Sequence, residues 1–93
     1  MLPLNGNYVY VASQNDNLVS VIRTSDNFVT DTIYLGRYSD PYGIGVLPNG
    51  NYIYVADYAP NSYNVFVISS SNNTITDTIT VGKAPYDIGV LPN

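Results

Sequence analysis

The chain has 93 residues, of which 45% are hydrophobic and only 11% charged, and its net charge is −4. This length allows one domain, and an acidic chain with three basic residues argues against a nucleic-acid partner, whose phosphates need Lys and Arg. The absence of Cys and His removes disulfides, thiolate metal sites and histidine acid–base chemistry. We therefore predict no cofactor. No apolar run approaches the roughly 20 residues of a membrane span, and the opening residues do not read as a signal peptide.

Alternating apolar residues predict short strands joined by polar turns. In the first strand, Tyr8 and Tyr10 alternate with Val9 and Val11, after a turn-forming Asn-Gly-Asn at 5–7. No helical periodicity is present. The predicted strands are, in order, 8–12, 18–23, 28–35, 42–47, 52–57, 63–69, 74–81 and 86–91. The strand tyrosines Tyr8, Tyr10, Tyr52 and Tyr54 are predicted to belong to the core.

The second half of the chain repeats the first. Aligning 5–14, 15–37 and 41–49 with 49–58, 61–83 and 85–93 gives identical residues at 26 of 42 positions. A period of about 44 residues built from short strands is typical of the blades of a β-propeller. The sequence thus predicts an all-β propeller of four-stranded antiparallel blades.

Glycines and charges predict where the strands lie within each blade. Gly43, Gly45 and Gly89 would weaken an ordinary strand, but they suit backbones that crowd together near a propeller axis. We therefore expect 42–47 and 86–91 to be innermost strands. Asp31 and Asp77 lie in the middle of the third strand of each repeat. Charges on an edge strand deter unwanted pairing, so these strands are predicted to be outermost.

One short motif carries a family resemblance. Tyr10-Val11-Ala12-Ser13 and Tyr54-Val55-Ala56-Asp57 stand where YVTN-type β-propeller repeats have Tyr-Val-Thr-Asn. The surrounding pattern is also similar to that family, which is common in surface-layer and other secreted proteins of archaea and bacteria. The resemblance implies blades arranged in a ring and a place outside the cell or on its surface. It implies no reaction.

The order of the strands predicts self-assembly. The chain starts at the second strand of one blade and ends on a lone innermost strand, so residues 1–93 read as one unit of two circularly permuted blades, with repeats at about 2–46 and 47–93. Two blades cannot close a ring. We expect Tyr86, Ile88 and Val90 of one copy to pair with Tyr8 and Tyr10 of the next, closing six blades from three chains or eight from four. The alternative is a piece of a longer propeller.

Both length differences between the repeats fall in loops at one end of the blades, which often marks the binding face of a repeat protein. Exposed Tyr with Asn and Asp suits a glycan or a peptide. The alternative is that these tyrosines pack between blades. The candidate binding residues are Tyr38, Asp40, Tyr42, Asp57, Tyr58, Asn61, Tyr63 and Tyr86.

Catalytic chemistry is not predicted. Ser13 and Ser62 have no evident general base, so neither reads as a nucleophile. Asp31 and Asp77 occupy equivalent positions in different blades and form no carboxylate pair. Asn72-Asn73-Thr74 is an Asn-x-Thr glycosylation sequence on a turn, relevant only to a secreted protein. We expect a non-enzymatic structural or interaction module that assembles with itself, with glycan or peptide binding as the alternative.

Overall fold

The computed structural model describes residues 7–37, 39–59 and 63–91. Within them the chain forms two antiparallel sheets, ordered β1-β2-β3 and β4-β5-β6-β7, and no helix. The all-β prediction is therefore confirmed. The strands are β1 (Tyr8–Ser13), β2 (Leu18–Arg23), β3 (Phe28–Tyr34), β4 (Pro41–Val46), β5 (Tyr52–Asp57), β6 (Asn64–Ser69) and β7 (Thr74–Thr80).

The eighth predicted strand is wrong. Residues 85–91, called the terminal segment below, form no strand in this structure. A strand needs a neighbour for its backbone N–H and C=O groups, and the terminal segment lies beside β4 without a hydrogen-bonded ladder. The N–H of Ile88 is instead bound locally, because it donates to Oδ1 of Asp87 at 2.9 Å.

The hydrophobic core lies between the two sheets. β2 places Val19 and Val21 on its inner face with the period of two that a strand imposes. The second sheet meets them with Ile53, Val55, Phe66 and Ile68, and Tyr8, Tyr10 and Ile44 pack at the margin. Burying each such aliphatic or aromatic side chain contributes about 1.5–3 kcal/mol. The predicted core position of Tyr52 is wrong, because this side chain is exposed.

Three turns depend on asparagines in the left-handed region. Asn17, Asn27 and Asn73 have φ of 60°, 58° and 55°. Asn tolerates this conformation better than other residues with a side chain. Asn27 and Asn73 are equivalent in the two repeats, so the β2–β3 and β6–β7 turns have the same construction. These turns set the register of the outer hairpins.

The outer hairpin of each sheet contains a β-bulge at the same place. The register shifts between Val21 and Ile22 opposite β3, and between Val67 and Ile68 opposite β7. The extra residue is Thr30 in β3, whose hydroxyl donates to the carbonyl oxygen of Val21 at 3.4 Å. Its counterpart in β7 bonds the carbonyl oxygen of Val67 in the same way. The predicted outermost position of the third strand is confirmed, because β3 and β7 each end their sheet.

Candidate functional site

Equivalent apolar positions of the two repeats differ in burial. Ile53 of β5 is 0% exposed because it packs into the core, whereas Val9, the same position in β1, is 46% exposed. The opposite face shows the reverse, since Ile33 of β3 is 5% exposed and its counterpart Ile79 of β7 is 38% exposed. Part of each face that is covered in one repeat is therefore open in the other, although Val21 and its counterpart Val67 are both buried. The same relation holds for Val55 with Val11 and for Leu35 with Val81.

The edge of the first sheet is also open. In the described part of the chain β1 pairs only with β2, whereas its counterpart β5 pairs with both β4 and β6. The first sheet thus has three strands where the second has four. The predicted absence of an innermost strand from the first blade is confirmed. Unpaired edges of this kind are ready to accept another strand.

The terminal segment lies against the glycines of β4. A Cβ on Gly45 would stand 2.6 Å from Cγ2 of Ile88 and 2.7 Å from Cγ2 of Val90, and one on Gly43 would stand 2.6 Å from the carbonyl oxygen of Tyr86. The predicted crowding is confirmed for these two glycines. It is absent at Gly89, where a Cβ would meet nothing within 4 Å among the described residues.

A part-buried hydrogen bond joins the two repeats. The hydroxyl of Tyr10 in β1 donates to Oδ1 of Asn73 in the β6–β7 turn at 2.7 Å. Burial, followed by the negative charge of Asp31, raises the pKa of Tyr10 to about 12. The equivalent residues are Tyr54 and Asn27, which belong to the outward-facing sides of the chain. Sequence reasoning missed this bond, because its partners are 63 residues apart.

Three of the predicted binding residues form an aromatic cluster at one end of the blades. The ring centroids of Tyr42 and Tyr86 are 4.1 Å apart, and Tyr58 stands 4.9 Å from Tyr86 and 5.8 Å from Tyr42. The hydroxyl of Tyr86 donates to that of Tyr42 at 2.6 Å, and this bond raises the pKa of Tyr86. All three rings are exposed. They therefore pack on one another and still present surface to solvent.

Asp57, another predicted binding residue, is buried and directly precedes Tyr58 of this cluster. Its Oδ1 accepts hydrogen bonds from the backbone N–H of Asp40 at 2.9 Å and of Ala59 at 3.2 Å. The carbonyl oxygen of Asp40 in turn accepts the N–H of Tyr58 at 2.8 Å. These bonds hold the loop before β4 against the loop after β5. In this structure the carboxylate of Asp57 thus positions Tyr58.

The other predicted residues have different surroundings. Tyr63 is exposed just before β6. Tyr38 and Asn61 lie outside the described residues. Tyr8 and Tyr10, the predicted receivers of another copy's strand, lie on β1 with their side chains half-buried toward the core.

Sequence reasoning also missed an open polar depression at the same end. It has a volume of about 460 Å³ and lies between the end of β1, the loop after it and the start of β4. Gln14, Asn15 and Asp16 supply most of its polar groups, and Tyr42 supplies an aromatic wall. A second depression of about 510 Å³ lies at the other end, beside Tyr54 and Gly89. Both depressions are formed by elements that are far apart in the sequence, so local sequence patterns do not predict them.

The described residues include no group of three or more His, Cys, Asp or Glu side chains placed to hold a metal ion. Asp31 and Asp77 lie on separate outer strands, where each accepts the N–H of the following residue at 2.9 Å and 2.8 Å. The part of the chain that the structure describes also has no helix with the length and apolar character that a membrane crossing requires.

The comparisons with known proteins agree with this architecture. The model of the LVIVD repeat, a β-propeller-type repeat, matches residues 2–22 and 45–68. It therefore matches equivalent parts of both repeats. No curated protein matches the sequence.

Two solved structures show the same fold. Hydrazine synthase of Kuenenia stuttgartiensis superposes with a TM-score of 0.82 at 21% identity, over 92% of this chain and 23% of that chain. AztD of Citrobacter koseri, in its apo form, superposes with a TM-score of 0.68 at 20% identity, over 90% and 23%. The chain thus spans less than a quarter of the length of either protein. At this identity the similarity shows the fold alone: the chain carries β-propeller-type repeats in an all-β, antiparallel architecture.

Proposed function

We propose that this chain is a non-enzymatic structural and interaction module, a two-blade unit that assembles head to tail with its own copies into a closed propeller of six or eight blades. One observation carries the proposal: four apolar positions that are buried in one repeat are exposed at the equivalent places of the other. The resemblance to YVTN-type repeats extends the proposal to a cell-surface protein.

The contact inside the chain supplies the template for the contact between chains. Within the chain, the side of the first sheet that carries Ile33 packs on the side of the second that carries Ile53. The two open sides carry Ile79 and Val9, which are the counterparts of that pair. When the side of one copy that carries Ile79 packs on the side of the next copy that carries Val9, the contact within the chain is repeated between chains. Such a heterologous interface closes into a ring when the rotation allows.

The terminal segment supports the same direction of assembly. Ile44 of β4 packs toward the first sheet, whereas Gly45 faces the terminal segment. β4 therefore stands between that segment and β1 of the same chain. In the proposed assembly, the segment that completes the first blade comes from another copy. Gly89 of that copy would face Ile44 and Val46 of the chain that receives it. This contact would be equivalent to the one that Gly45 makes with Ile88 and Val90 within one chain.

Two further groups fit this contact. Tyr54 and Asn27 are equivalent to Tyr10 and Asn73, so we expect them to repeat across chains the bond that Tyr10 makes with Asn73. Asp87 is the exception, because it replaces Gly43. A Cβ at that position would stand 2.6 Å from a backbone oxygen in the contact within the chain. The junction between chains must therefore be slightly wider at Asp87.

The test is the molar mass in solution, by size-exclusion chromatography with light scattering. We expect about 31 kDa for three chains or about 41 kDa for four, against 10.2 kDa for one. The measurement is repeated over a hundredfold dilution, because a closed ring dissociates in one step to the single chain. A folded species of 10.2 kDa at all concentrations would contradict assembly and favour a piece of a longer propeller. An indefinite range of masses would contradict closure.

A second candidate function is glycan or peptide binding at the tyrosine-bearing end. It is favoured by the exposure of Tyr42, Tyr58 and Tyr86 and by the polar depression beside Tyr42. Amphipathic aromatic rings beside amide and carboxylate groups suit ligands with both apolar and polar faces. This function is compatible with assembly, since it uses the ends of the blades and not their sides.

A further inference from the structure

We propose that the polar depression lined by Gln14, Asn15, Asp16 and Tyr42 is a binding site for a neutral saccharide, completed by Tyr86 of the partner subunit. The inference rests on the proposed assembly, and it assigns one such site to each chain. Its first support is a difference between the two repeats at the tyrosine-bearing end.

At the junction of the second blade with the terminal segment, the space is filled. Tyr58 projects there and packs on Tyr42 and Tyr86, with ring centroids 5.8 Å and 4.9 Å away. Gln14 has the equivalent position in the first repeat, and the space beside it is the open depression. In the single chain, the depression lies where a shorter amide replaces this aromatic plug and where the innermost strand of the first blade is missing. Once the partner's strand is added, the shorter amide still leaves part of this space open at every second junction of the ring.

The register of the second sheet places the missing wall. Pro41 pairs with Asp57, so in the completed first blade Pro85 of the partner subunit pairs with Ser13. Tyr86 of the partner subunit then stands beside Tyr42, as Tyr42 and Tyr86 stand 4.1 Å apart within one chain. The depression thereby becomes a pocket with an aromatic wall that neither copy completes alone.

The chemistry of the lining favours a saccharide. Tyr42 offers apolar surface for the C–H face of a sugar ring, and the Ser, Gln, Asn and Asp groups can donate to or accept from its hydroxyls. Among the seven described lining residues Asp16 carries the only charge, so the pocket does not attract an anion such as phosphate. In the single chain its volume of about 460 Å³ lies within the range of small-molecule pockets, about 300–1,000 Å³.

The experiment measures binding to the assembled protein by isothermal titration calorimetry and saturation-transfer NMR. The probes are the methyl glycosides of glucose, galactose, mannose and N-acetylglucosamine, and inorganic phosphate and the acetylated tetrapeptide Gly-Ser-Lys-Ser as other classes of ligand. We expect at least one glycoside to bind with one site per chain. Binding of the peptide or phosphate with no glycoside bound would overturn the inference.

The test variant is Gln14→Tyr, which copies the plug of the second repeat into the first. We expect it to lower the affinity for the glycoside at least about tenfold, the size of a lost hydrogen-bonded contact plus steric exclusion. The matched control is Thr80→Tyr, which copies Tyr34 of the first repeat onto the exposed outer strand of the second. The control should leave both the mass and the affinity unchanged. Equal affinity in Gln14→Tyr would overturn the inference.

The dependence on the partner is tested with Gly89→Val, which is designed to block assembly. We expect the resulting single chain to lose glycoside binding at least about tenfold. Full binding by that single chain would overturn the composite site. A wild-type ring of the expected mass that binds no glycoside would overturn this inference and leave the assembly standing, whereas a wild-type protein of 10.2 kDa would contradict the assembly itself.

Discussion

Val9 in the first repeat and Ile53 in the second occupy the same strand position, and each stands opposite an isoleucine, Ile22 or Ile68, on the neighbouring strand. Ile53 is nevertheless buried and Val9 exposed. The difference does not come from local sequence, since both segments are apolar and alternate in the same way. It comes from what lies over them: the other sheet covers Ile53, and nothing in the described part of the chain covers Val9 to the same extent. Substitutions in the buried face and in the exposed face, made separately, test whether the exposed face is an interface.

The largest effect is expected from a charge at these two positions. Ile53→Asp buries a carboxylate without a partner, which costs several kcal/mol and approaches the whole stability of a small domain. We expect it to unfold the chain, seen as loss of the β-type circular dichroism signal. Val9→Asp should leave the chain folded and reduce its mass to 10.2 kDa. A Val9→Asp protein that keeps the mass of the assembly would show that this face is not the interface.

The glycines of the innermost strands give the next comparison. Gly45→Val forces the terminal segment away from β4, because even its Cβ would overlap Ile88 and Val90, and we expect a loss of about 1–3 kcal/mol in the free energy of unfolding. Gly89→Val meets open space among the residues that the structure describes. It should leave the folding of the single chain intact and weaken assembly instead. Urea unfolding and light scattering measure the two effects, and a ring unaffected by Gly89→Val would contradict the proposed contact.

The smallest effects are expected from removing the hydroxyls of the equivalent residues Tyr10 and Tyr54. Tyr10→Phe removes the hydrogen bond to Asn73 and leaves that amide oxygen unpaired, so we expect a loss of about 1 kcal/mol in the free energy of unfolding of the chain. Tyr54→Phe should instead raise the dissociation constant of the assembly about fivefold or more per contact. Equal effects of both substitutions on the unfolding of a dilute, dissociated sample would contradict the assignment.

Alkaline pH provides a second measurement of the same pair. Burial raises the pKa of Tyr10 from 10.0 to about 12. The neutral phenol therefore stabilises the fold fully below pH 10, and this contribution is lost as the pH rises from 10 to about 12. The stability of the wild-type chain should fall in this window more steeply than that of Tyr10→Phe. Parallel curves for the two proteins would contradict the buried state of this hydroxyl.

Local patterns predicted most of the strands. β2 and β5 have the predicted bounds, since each is a run of alternating apolar residues between polar turns. The segment 86–91 carries the same kind of pattern and was predicted wrongly, because strand formation depends on a neighbour and not on pattern alone. Gly89 was misjudged for the same reason. Its repetition suggested crowding, but crowding depends on a neighbouring element, and the described residues place nothing within 4 Å of a Cβ at Gly89.

The candidate site was less accessible to sequence reasoning. The end of the blades at which Tyr42, Tyr58 and Tyr86 meet followed from the order of the strands. The bond between Tyr10 and Asn73 and the depression beside Gln14 did not, because each depends on side chains from elements far apart in sequence. The exchange of Tyr58 for Gln14 was visible in the alignment. That this exchange leaves space beside Tyr42 could be inferred only from the packing of Tyr58 on Tyr42 and Tyr86.

The bulges at Thr30 and Thr76 bear on how far assembly can proceed. Each kinks the strand at the rim of its sheet and removes the flat row of backbone groups that a further sheet would need. The carboxylates of Asp31 and Asp77 follow immediately and repel a like-charged rim. Edges of this kind do not favour lateral growth into fibrils. In the proposed assembly, copies would therefore add only through the sides of the sheets, and growth would end when the last copy contacts the first.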